Sequence, residues 1–167
     1  MQLLAKNKKA QHTFGLPFGM IFAIFLIVVF IVITFIAIKH FLDIGKCSSI
    51  GMFYDEFQQK VNEAWASQSS EFKFKIDLPK GIEKICFANL SADITGSQED
   101  YNQIKNYDVY EANIFLIPPE KSCNMPYKFI KHLNITKITS TKNPYCVDVS
   151  RDLIIKKGFY DKEVFVK

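Results

Sequence analysis

Hydrophobic and polar positions divide this chain sharply. From Leu16 to Ile38 (LPFGMIFAIFLIVVFIVITFIAI), 23 consecutive residues carry no charge. As a helix rising ~1.5 Å per residue, such a run covers ~34 Å, enough for a ~30 Å hydrocarbon core. A helix apolar on every side needs burial on every side, and the rest of this chain is too small to wrap one. A cleaved signal peptide is the rival explanation, but its apolar region spans only ~7–15 residues and ends at a small-residue cleavage site. Here the run is longer and leaves through Ile38-Lys39-His40-Phe41-Leu42, without an A-x-A pattern. The pattern predicts an uncleaved transmembrane helix over 16–38, preceded by a basic segment over 1–15.

Past the apolar run the pattern changes period. Residues 39–46 read as a linker. Asp43 to Ser48 (DIGKCS) is a polar hinge in which Gly45 stops one helix and Ser48 or Ser49 caps the next. Over 49–67, Ile50, Phe53, Phe57, Val61, Ala64 and Trp65 recur at steps of three and four, opposite Asp55, Glu56, Gln59, Lys60 and Glu63. This spacing predicts an amphipathic helix. Phe53, Phe57 and Trp65 on its apolar stripe are candidates for a partner surface, although such a stripe more often packs on the protein's own sheet.

Strand periodicity follows. Phe72, Phe74, Ile76 and Leu78 alternate with Lys73, Lys75 and Asp77, as in a half-buried strand. Pro79-Lys80-Gly81 is a turn, and Ile82 to Leu90 returns as a second strand, predicting a hairpin. Residues 91–108 are polar, with a short helix near Tyr101–Ile104. Asn113 to Ile117 reads as a buried strand stopped by Pro118-Pro119. Phe129 to Thr139 fits neither period. Cys146 to Val149, Leu153 to Ile155 and Val164 to Val166 read as short strands. Successive strands without long intervening helices argue for an antiparallel sheet. The expected fold is α+β: a transmembrane helix, then an amphipathic helix packed on a small antiparallel β-sheet, with the domain covering 47–167.

Charge orients this plan. Residues 1–15 carry Lys6, Lys8 and Lys9 and no acid, whereas Lys39, Lys46, Asp43, Asp55 and Glu56 nearly cancel beyond the apolar run. The positive-inside rule puts the N-terminus in the cytoplasm and the C-terminal domain outside the cell membrane. Residues 39–167 hold 18 basic and 17 acidic groups, interspersed, so no basic stripe offers itself to nucleic acid. A composition of 49% hydrophobic and 14% aromatic residues excludes a disordered chain.

All four cysteines, Cys47, Cys86, Cys123 and Cys146, fall in the predicted exterior part. An even number there fits two disulfides in an oxidising compartment. Three connectivities exist; locality favours Cys47 with Cys86 and Cys123 with Cys146. The cysteine spacings of 39, 37 and 23 do not match a zinc-ligand pattern. Two sequons, Asn89-Leu90-Ser91 and Asn134-Ile135-Thr136, make Asn89 and Asn134 glycosylation candidates.

Catalytic motifs are sparse. A Cys–His hydrolase needs a thiolate beside an oriented imidazole, and Cys123, His132 and Asp148 are the residues from which one could be assembled. Bridges explain the cysteines better, and no nucleophile motif accompanies them. His12 precedes the span and His40 borders it. The sequence has no CxxC pair, phosphate loop, H-E-x-x-H or EF-hand loop. Glu99-Asp100 reads as a solvated loop, and the apolar run contains no ionisable group to carry protons or ions. The expectation is neither enzyme nor cofactor nor metal.

Two resemblances lie at the N-terminal end. Gly15-Leu16-Pro17-Phe18-Gly19-Met20-Ile21-Phe22 and the Ile/Val/Phe run after it resemble the start of small, uncharacterised archaeal single-pass membrane proteins, which implies location rather than activity. The whole plan is similar to archaeal type IV pilin-like proteins: a short basic leader, an apolar helix running into an amphipathic one, and a β-rich, disulfide-bonded head. Lys8-Lys9-Ala10-Gln11 resembles a prepilin processing site, with cleavage between Ala10 and Gln11; cleavage between Gly15 and Leu16 is the other register. Pilins commonly carry glutamate at the fifth mature position, where these registers place Gly15 or Met20. The role expected is a single-pass, membrane-anchored exterior domain for binding or scaffolding in a cell-surface or envelope complex. It would contact membrane lipid and either a protein partner or a second copy. A pilin-like filament subunit is the alternative.

Overall fold

A computed structural model describes residues 15–167, with side chains from 18 onward. Of the two processing registers, Lys8-Lys9-Ala10-Gln11 lies outside the described residues, whereas Gly15 and Leu16 fall within them. The chain forms two compact units, one ending at Ile44 and the other covering Gly45–Lys167.

Helix α1 spans Gly15–Ala66 without a break. Its apolar part is long and apolar enough to cross a membrane. In that part Ile21, Phe25, Ile31 and Phe35 are all more than half exposed. The expected stop and restart at 43–48 does not occur, and the linker residues 39–46 are helical. An interior glycine costs a helix only about 1 kcal/mol, so Gly45 does not end it. The Ser49 hydroxyl, read as a cap, instead donates to the Gly45 carbonyl one turn back, at 3.0 Å.

The second unit opens with the C-terminal turns of α1. Ile50, Phe53, Tyr54, Phe57, Val61 and Ala64 are buried there, and Asp55, Glu56, Gln59, Lys60 and Glu63 are exposed. From Ile50 to Ala64 the amphipathic stripe thus faces inward as its spacing required, whereas Trp65 at its end stays exposed. The end of α1 is capped by a distant side chain. Lys157 donates to the carbonyls of Trp65 (2.6 Å) and Ser67 (2.8 Å), placing a cation at the negative end of the helix dipole.

Seven strands follow among the described residues: β1 (Ser70–Phe74), β2 (Lys84–Phe87), β3 (Ile114–Ile117), β4 (Tyr127–Lys128), β5 (Tyr145–Asp148), β6 (Leu153–Lys157) and β7 (Phe165–Val166). They build two antiparallel sheets, ordered β1-β6-β7 and β4-β3-β2-β5, where one sheet was expected. Short helices α2 (Gln98–Ile104) and α3 (Ile135–Ile138) and two single-turn helices, Lys105–Tyr107 and Pro119–Lys121, complete the unit among the described residues.

The predicted β1–β2 hairpin is not formed. Its turn exists, with Ile82 N–H donating to Pro79 O (3.3 Å) and Gly81 at φ 108°. Yet β1 pairs with β6, while β2 pairs with β3 and β5. The reason is legible in the side chains. β1 has one apolar face, Phe72 and Phe74, which suits a sheet edge. β2 is apolar on both faces, which suits the middle of a sheet.

Two cores result. Ile85 and Phe87 of β2 and Ile114 and Leu116 of β3 join the α1 stripe and residues of β1, β6 and β7. Phe57 sits at the junction, its ring 5.3 Å from Phe74 and 6.0 Å from Phe87. On the opposite face of the four-stranded sheet, Cys86, Phe115 and Ile117 pack with Ile104 of α2.

Candidate functional site

The disulfides decide much of this unit's geometry, and they correct the expected pairing. Cys47 is joined to Cys123 and Cys86 to Cys146. Locality misled because Cys86 and Cys146 occupy opposed positions on β2 and β5, which the sequence separates widely. Cys47 stands on α1 and Cys123 in the loop after the short helix Pro119–Lys121, with φ 52°. Cys123 therefore presents no thiol to His132 and Asp148, and the hydrolase constellation is not assembled.

Beside Cys86 and Cys146 lies the carboxylate of Asp100; one oxygen and both sulfurs fall within 4.8 Å of one another. Joined sulfurs are not thiolate ligands. Asp100 is 5% exposed and accepts from Lys84 Nζ at 2.8 Å, so this acid is a buried ion-pair partner rather than the solvated loop residue expected. The Asp100 hydrogen bond holds the Lys84 ammonium above its ordinary pKa.

Two partner-surface candidates are also corrected. Phe53 and Phe57 are 2% and 0% exposed, since α1 turns them into the core. Trp65 is 43% exposed, and it stacks on His132 with ring centroids 3.9 Å apart and planes 12° apart. His132 adopts φ 66°, a conformation uncommon for a residue with a Cβ. Backbone bonds on either side hold it there: Val164 N–H donates to His132 O (2.8 Å), and Asn134 N–H donates to Val164 O (2.7 Å).

His132 helps to line a cleft of about 430 Å³. The segments 88–91 and 132–136 both contribute to its lining, together with Asp108, Tyr110, Glu111, Phe129 and Glu163. Both sequons therefore face one cleft. Asn89 and Asn134 are half-buried, while Ser91 and Thr136 are exposed.

Two buried asparagines hold the lining in place. Asn143 donates through Nδ2 to the carbonyls of Asn89 (2.8 Å), Ala92 (3.4 Å) and Asp93 (3.1 Å), and its Oδ1 accepts from Asn89 N–H (3.1 Å). Asn113 donates to Ile130 O and accepts from Ile130 N–H, both at 2.8 Å. Sequence reasoning passed over both. The signals were present: Asn143 precedes a proline, and Asn113 heads the apolar strand β3.

Exposed aromatic rings and carboxylates border the cleft, and the half-buried amides of Asn89 and Asn134 belong to its lining. Compared with known proteins, the chain matches no family model, no curated protein and no solved structure.

Proposed function

We propose that this chain is a single-pass, membrane-anchored protein. Its N-terminus lies in the cytoplasm, and its disulfide-braced α+β unit stands outside as a binding or scaffold domain of a cell-surface or envelope complex. The observation that carries this reading is the contrast within α1. The side chains of 18–46 are exposed almost throughout, whereas the stripe from Ile50 to Ala64 is buried. At ~25 cal/mol per Å² of apolar surface, leaving more than a dozen large apolar side chains in water would cost on the order of tens of kcal/mol. A bilayer removes that cost. Two disulfides support an oxidising exterior for the other unit.

A second reading, a type IV pilin-like filament subunit, draws support from one specific feature: a single unbroken helix supplies both the apolar segment and the core stripe. The N-terminal sequence of the protein purified from membranes separates the two. A chain keeping residues 1–10 supports the permanent anchor and excludes prepilin-type processing. A chain starting at Gln11 or Leu16 favours the filament subunit. Recovery in the soluble fraction without detergent would contradict both.

A further inference from the structure

We propose that the cleft is a double N-glycosylation face, with Asn89 and Asn134 each carrying an oligosaccharide through Nδ2. A sequon alone is a weak signal, because N-x-S/T arises often by chance. Three structural observations strengthen it.

First, both sequons line the same cleft although 45 residues separate the asparagines in sequence. Second, each amide is preset with its oxygen engaged and its nitrogen unused. Asn89 Oδ1 accepts from Ser91 N–H (3.1 Å), and Asn134 Oδ1 accepts from Lys137 N–H (2.9 Å) as the cap of α3. Neither Nδ2 donates within the described residues, so a substituent there breaks no hydrogen bond of the fold. Asn113 and Asn143 provide the contrast. Their Nδ2 atoms hold the cleft together, and neither residue stands in a sequon. Third, Tyr110 and Phe129 border the cleft with exposed rings, apolar surfaces on which the first sugar can rest.

The chemistry is a group transfer from a lipid-phosphate- or lipid-diphosphate-linked oligosaccharide, catalysed by a separate transferase. A bond forms between the asparagine Nδ2 and the anomeric carbon. The bond from that carbon to the donor's phosphate oxygen breaks, and the lipid phosphate leaves with the electron pair. The amide proton passes to a base of the transferase, and nothing is oxidised or reduced. Glycans on both sides of the cleft would cover this face, leaving protein partners the remainder of the surface.

The proposal rests on the exterior location, and one experiment keeps the two distinguishable. The full chain is purified from its own membranes without reductant, and its intact mass and glycopeptides are measured. Two glycans, on Asn89 and Asn134, are expected. Ser91→Ala and Thr136→Ala remove the sequons but leave both asparagine hydrogen bonds, and each should abolish one glycan. A polypeptide carrying two disulfides and no sugar overturns the glycosylation and leaves the exterior location standing. A sugar-free chain with four free thiols overturns both.

Discussion

Cys86 and Cys146 face each other across β2 and β5, with Cα atoms 4.0 Å apart and sulfurs joined. The second bridge ties Cys47 on α1 to Cys123, 76 residues away. Loops of this size are entropically costly to close, so each bridge should contribute about 4 kcal/mol by restricting the unfolded chain. Proteolysis without reductant should release peptides linked 47–123 and 86–146. Peptides linked 47–86 or 123–146 would contradict the fold, because β2 could not then keep its place beside β5. Double replacement of Cys47 and Cys123 by serine should lower the denaturation midpoint markedly.

Phe57 and Trp65 belong to one helical stripe and should respond differently to truncation. Phe57→Ala empties the point where α1 meets residues of both sheets and should cost ~3–5 kcal/mol. Trp65→Ala removes an exposed ring stacked on His132 and should cost about 1 kcal/mol. Chemical denaturation of the two variants checks the difference. Equal losses would mean that Trp65 is a core residue.

Tyr54 sets an alkaline limit. Its hydroxyl donates to Met125 O at 3.0 Å, and burial pushes the phenol well above its ordinary value. Lys84 is also raised, by the Asp100 hydrogen bond. Both groups have folded pKa values above their unfolded ones. The stability they contribute is therefore complete below about pH 10, the unfolded range, and is lost as pH rises beyond it. Tyr54→Phe should cost about 1 kcal/mol at neutral pH through the lost hydrogen bond, yet make the alkaline decline shallower. Thermal melts from pH 7 to 11 measure both effects. An unchanged alkaline limb would show that the Tyr54 phenol is not buried.

Asn143 holds three carbonyls of the 89–93 segment through one amide nitrogen. Asn143→Ala leaves them without that donor and should cost ~2–3 kcal/mol. Hydrogen exchange should accelerate first in 89–96, whose Thr95 and Gly96 N–H groups donate to the Asn143 carbonyl. Uniform acceleration across the unit would contradict a local clamp.

Much of this architecture was legible along the chain. The apolar run, the α1 stripe and strands β3, β5, β6 and β7 followed from period and composition, because each meets its environment through its own side chains. Partner choice was not legible. β1 and β2 are neighbours in sequence joined by a well-formed turn, and only the two-sided burial of β2 sends it to another sheet. The same long-range pairing decides the disulfides. The polar residues of the candidate site were the hardest to foresee. Asn113 and Asn143 acquire their roles from backbone groups that only the folded chain brings near, whereas the sequons are local motifs and were visible at once.

In the proposed arrangement the anchored unit lies outside and the N-terminus in the cytoplasm. Labelling intact cells with a membrane-impermeant amine reagent, followed by peptide mapping, tests it most directly. Lys80, Lys131 and Lys142 are exposed on the C-terminal unit and should be modified, while Lys6, Lys8 and Lys9 should react only after lysis. Modification of the N-terminal lysines with the C-terminal unit protected would invert the topology. Protection of every lysine until lysis would contradict an exterior domain altogether.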